Sequence, residues 1–100
     1  MPGGVSFDAR VAEIRRRIQE ALVYPPIARR RAIEGETEVA FEIGAGGSPA
    51  SIALVRSSGS ALLDRAAERA VRDAAPLPPV LGRLRVPVRF ELGERSATEP

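Results

Sequence analysis

The segment LRVPVRFEL, residues 84–92, alternates apolar and polar residues as a half-buried strand does, yet it carries Pro87 at its centre. Proline has no N–H to donate, so within a sheet it is confined to edges, strand starts and bulges. Residues 84–92 are then an edge strand, a strand start or a bulge. The order of the other elements decides which.

The remaining elements follow from periodicity. In SFDARVAEIRRRIQEAL, Phe7, Val11, Ile14, Ile18 and Leu22 recur at helical spacing, with Ser6 placed to cap the helix and Asp8 in its first turn. Two prolines in VYPP stop it. Pro26 then opens a shorter helical stretch, PIARRRAI, for which Gly35 is the expected left-handed cap. ETEVAFEI alternates strictly, with Thr37, Val39, Phe41 and Ile43 on one face and Glu36, Glu38, Ala40 and Glu42 on the other. GAGGSPA is a turn cluster, and SIALVR completes a hairpin. A second long helix follows in SSGSALLDRAAERAVRDAAP, capped by Ser60, lined by Leu63, Ala66, Ala67, Ala70, Val71 and Ala74, and ended by Pro76. PLPPVLGR reads as an irregular connector to the third strand, whose core face is Val86, Val88, Phe90 and Leu92.

The order helix, strand, strand, helix, strand predicts an α+β fold with two helices packed on one face of a three-stranded antiparallel sheet. A crossover normally skips a neighbour, so strand three should land beside strand one, in the spatial order 2-1-3. Charge agrees, since Glu38 and Glu42 on strand one could pair with Arg85 and Arg89 on strand three. The expected organisation is a disordered extension over residues 1–5, one domain over 6–92 and a disordered tail over 93–100.

Composition narrows the function. The chain of 100 residues has no Cys, His, Lys or Trp, so it lacks an imidazole base, a thiolate, a Schiff-base amine and a zinc ligand set. No enzyme activity, metal or cofactor is expected. Its 15 Arg face 13 Asp and Glu, and a net charge of +2 is weak for a nucleic-acid footprint, although Arg15 to Arg17 and Arg29 to Arg31 form runs. Acids interspersed among them, with Glu13 four residues before Arg17, favour solvated helix faces. GAGGSP lacks the third glycine, following helix and lysine of a phosphate cradle. The serines of SSGS have no base to activate them, the strand-one glutamates sit on a solvent face, and PLPPV reads as a linker before a polyproline ligand.

The ordered combination of YPP, Ala28 and Arg29, a run to Gly35, the strand containing Phe41, the glycine-rich hairpin, VRSSG, LLDRAA, APLPP and a final strand ending in Phe90 resembles the C-terminal domain of the TonB family of energy transducers, over roughly residues 10–92. The hairpin departs from relatives in lacking an Asp-Gly pair. The resemblance implies a non-catalytic periplasmic adaptor of an inner-membrane protein. Its transmembrane anchor, which with a Pro-rich spacer is expected to lie outside these residues, would associate with ExbB and ExbD. The domain would grip the TonB box of an outer-membrane transporter so that siderophores or cobalamin enter. A TolA-like transducer serving motility or secretion is the alternative within the class, and an Arg-rich nucleic-acid module the alternative outside it. A TonB-type adaptor implies no nucleic-acid partner.

Backbone alternation places Arg85, Pro87, Arg89 and Glu91 on one edge of strand three, and with Pro87 facing outward that edge is expected to offer the N–H and C=O of Arg89 and Glu91 intact. A partner segment is expected to add there as a further strand, or a second copy to form a homodimer by strand exchange. From the resemblance, Gln19, Ala21, Val23 and Tyr24, which precede or form the Tyr-Pro pair, are expected to flank the docking edge.

Overall fold

The computed structural model describes residues 6–92, so the expectations for residues 1–5 and 93–100 fall outside it. Helix α1 spans Phe7–Ala21, α2 Pro26–Arg30 and α3 Ala61–Asp73; strands β1, β2 and β3 span Gly35–Ile43, Pro49–Arg56 and Arg83–Phe90. The sheet is antiparallel in the order β2-β1-β3, as the crossover argument requires, and both ladders run through β1. Among the described residues, no helix is long and apolar enough to cross a membrane.

The caps behave as their chemistry dictates. Ser6 Oγ accepts from the Ala9 N–H at 3.1 Å and Ser60 Oγ from the Leu63 N–H at 3.5 Å, each satisfying an amide that helix geometry leaves unpaired. The end of α2 corrects the reading of Gly35. The helix stops at Arg30, and Ala32 takes the left-handed conformation at φ 56°. The Ile33 N–H bonds the Ala28 carbonyl at 2.8 Å and the Ala32 N–H the Arg29 carbonyl at 3.1 Å, which is the Schellman arrangement. Gly35 instead opens β1, where a Cβ would lie 3.0 Å from Ser58 Cβ.

One core lies between the sheet and the helices. Ile14 and Ile18 of α1, Leu63, Ala67 and Val71 of α3, Val39 and Phe41 of β1, and Val86, Val88 and Phe90 of β3 are all buried. Phe7, at the start of the α1 stripe, is 60% exposed and stays outside it. The connector after α3 is more than a spacer: Leu77 and Val80 enter the core, and the Pro76 and Pro79 carbonyls accept from Arg17 at 2.9 Å and Arg10 at 3.0 Å. That anchorage ties down the segment a polyproline ligand would need to present freely. The glycine-rich turn is a short 3-10 segment, Ala45–Gly47, braced on the same connector: the Leu77 N–H donates to the Gly47 carbonyl at 2.9 Å.

Candidate partner-binding edge

The outer side of β3 carries no further strand among the described residues. Which main-chain groups point there is fixed by Arg89. Its N–H donates to Gln19 Oε1 at 3.4 Å, and its carbonyl accepts from Gln19 Nε2 at 2.9 Å. Both groups therefore point away from β1, toward α1. Successive strand residues direct their polar groups to opposite edges, so Arg85 and Pro87 face outward with Arg89, while residues 84, 86, 88 and 90 bond β1. Pro87, opposite Glu38, thus costs the ladder nothing. The proline in the strand is accommodated because its missing donor would have pointed away from the sheet.

Two expectations need correction. Arg89 does not present its groups unengaged, because the Gln19 amide holds both. Glu91 lies just beyond the end of β3 at Phe90, and the next residue is secured differently: the Leu92 N–H donates to Glu34 Oε2 at 2.6 Å. The strand ends because the carboxylate of Glu34, which precedes β1, replaces a backbone partner there.

The side chains of the edge are paired across the exposed sheet face. Arg83 meets Glu42 at 3.9 Å, Arg85 meets Glu38 at 3.8 Å and Arg89 meets Glu36 at 3.8 Å. These are solvent-exposed pairs worth ~0–1 kcal/mol each, so they orient side chains more than they stabilise the sheet.

Of the four flanking residues, the structure brings two to β3. Gln19 reaches Arg89, as described. Tyr24 packs edge-on against Phe90, with ring centroids 5.5 Å apart at 83°, donates its hydroxyl to the Ile33 carbonyl, and carries the Arg29 guanidinium 5.3 Å above its ring. Ala21 is two residues from Gln19 and so on the opposite face of the helix. Together with Val23 and Pro25 it lines a groove of about 450 Å3 against Leu62, Arg65, Ala66 and Arg69 of α3. Sequence reasoning missed the Gln19 clamp, since nothing in QEALVYPP says which face of α1 meets β3.

The serine motif has a structural role. Asp64 accepts from the Ser57 hydroxyl at 2.5 Å and from the Ser58 N–H and hydroxyl at 2.9 and 2.8 Å. Burial raises the Asp64 pKa, but these three hydrogen bonds outweigh it and hold the carboxyl below its ordinary value. Within the arginine runs, Arg16 pairs with Glu20 at 3.2 Å, Arg17 with Glu13 at 3.0 Å, and Arg29 lies over Tyr24, while Arg15, Arg30 and Arg31 are exposed.

The described residues form an α+β domain whose three-stranded antiparallel sheet ends in an outer strand, β3, lying beside α1. Comparison with known proteins gives it a family. The model of the family described as "Gram-negative bacterial TonB protein C-terminal" matches residues 20–92. Protein TonB of Helicobacter pylori strain J99 is 39% identical over 74 residues, covering 71% of this chain and 26% of that protein. Protein TonB of Vibrio cholerae is 36% identical over 75 residues, covering 69% and 31%. The solution structure of the Helicobacter pylori TonB C-terminal domain, residues 179–285, superposes with a TM-score of 0.74 at 34% identity, covering 90% of this chain and 86% of that one. The structure of the HasB C-terminal domain gives 0.50 at 27% identity, covering 94% and 76%. The chain belongs to the TonB C-terminal domain family, and it spans about a quarter of the length of the Helicobacter protein it matches.

Proposed function

We propose that this chain is the periplasmic end of a TonB-type energy transducer and that it grips an extended segment of an outer-membrane transporter, the TonB box, by strand addition along the outer side of β3. Family membership supports the transducer reading. The observation that carries the docking site is the outward direction of the Arg89 main-chain groups. In this reading the chain performs no catalysis. Its anchored parent draws force through ExbB and ExbD from the proton gradient, and this domain passes that force to the transporter so that scarce nutrients such as siderophores or cobalamin enter. Arg85, Arg89 and Glu91 tune the choice of partner, while Gln19 and Tyr24 border the docking edge.

Backbone pairing is tested by substitutions that separate main chain from side chain. Arg89→Pro removes an outward donor and should weaken binding of a TonB-box peptide by ~1–3 kcal/mol, the cost of leaving a partner unsatisfied. Arg89→Ala keeps that donor and should cost less. Equal losses in two variants of native circular dichroism would refute strand addition here.

A further inference from the structure

The contact between Gln19 and Arg89 has the form of a strand pairing made by one side chain. A carboxamide carries a carbonyl and an N–H in one plane, and Gln19 uses both on a single residue's main chain, at 2.9 and 3.4 Å. In an added antiparallel strand, the backbone of the incoming residue opposite Arg89 would need the same two groups.

We propose that Gln19 is a removable strap: its amide occupies the Arg89 main-chain groups in the unloaded protein, and an incoming strand must displace it to pair beyond Pro87. The inference rests on docking at the β3 edge and adds how that edge is kept closed. The backbone of α1 is fixed beneath the strap, because Ile14 and Ile18 are buried in the core. Gln19 itself is exposed, so release needs only a change of side-chain rotamer, which is fast compared with any helix movement. Pro87 and Gln19 then divide the work of protecting one edge. The proline permanently removes an outward donor at its own position, and the glutamine covers the next outward position until a partner takes it.

Contacts present in the free state and absent in the complex lower affinity by their net worth. Titration of the isotope-labelled chain with a TonB-box peptide, followed by amide shifts, measures that worth. Gln19→Ala should bind the peptide about three- to tenfold more tightly than the parent, as expected for two exposed hydrogen bonds no longer broken on binding. Its Arg89 amide should exchange faster with solvent in the absence of peptide. Gln19→Asn, one methylene too short to span both groups, should behave like the alanine variant, whereas an effect of amide chemistry without reach would leave it like the parent. Unchanged or weaker binding by Gln19→Ala, with β3 amides still shifting, would overturn the strap and leave the docking edge standing. Absence of β3 shifts in parent and variant alike would remove the docking edge, and the strap with it.

Discussion

Ala32 sits in a left-handed conformation that costs an L-residue roughly 1–2 kcal/mol, so Ala32→Gly should raise stability by up to ~1 kcal/mol once glycine's extra unfolded-state freedom is deducted. Urea unfolding measures the gain, and destabilisation would mean that the Schellman turn does not form as described. Thr37 presents the converse case. It is fully buried on the core face of β1, and its hydroxyl has no hydrogen-bond partner among the described residues. Thr37→Val keeps the shape and removes the orphaned group, so a gain of ~1–2 kcal/mol is expected in the same assay. Asp64 sets a pH dependence. Its pKa is lowered on folding from an ordinary value of 3.8, so its contribution is complete above that value and is lost as pH falls through the lower folded one. The parent's stability advantage over Asp64→Ala should therefore hold at neutral pH and shrink below about pH 4. An advantage that grew on acidification would contradict the assignment. Alternation placed Thr37 inward from the sequence alone, whereas the left-handed residue was misread as Gly35, because glycine preference is only a tendency and the helix stopped sooner than its apolar pattern suggested.

At the scale of elements, the long helices, β1 and β3 were legible because their apolar residues recur with the period of the structure they form. Strand β2, which buries no residue fully, was legible from the turn cluster before it and its apolar run. The connector was not. PLPPVLGR has no period, and only the positions of Leu77 and Val80 over the sheet and of Arg10 and Arg17 on α1 make it part of the core. The glycine-rich turn depends on that connector. At Gly47, φ is 84° and a Cβ would lie 2.7 Å from the Leu77 nitrogen and 2.8 Å from its oxygen. Gly47→Ala should cost at least ~2 kcal/mol through strain and clash together, read as a lower thermal midpoint. Gly46, also at positive φ, has open space around its Cα, and Gly46→Ala should cost only the conformational part, ~1 kcal/mol. Equal losses at the two sites would show that the turn is not braced on Leu77. The candidate site was half legible for the same reason. Pro87 gave the direction of the edge through local chemistry, but the Gln19 contact spans 70 positions and depends on how α1 lies along β3.

At the scale of the whole molecule, the helices cover one face of the sheet while β1 is sandwiched between β2 and β3, so that among the described residues each outer strand pairs on one side only. The two edges are not equivalent. β2 is interrupted by register shifts against β1 and by Ser51 at φ 53°, irregularities that disfavour a continuous added strand, whereas β3 pairs with β1 from Arg83 to Phe90 without a shift. A segment added antiparallel to β3 would place its hydrogen bonds perpendicular to the strand, so a pull along the strand loads several bonds together. The most direct test is a set of intermolecular nuclear Overhauser contacts between the labelled chain and an unlabelled TonB-box peptide. Strand addition predicts a ladder of contacts from the peptide to the outward positions Arg85, Pro87 and Arg89, in a single register. A ladder to β2, or contacts confined to the groove between Val23 and α3, would contradict it.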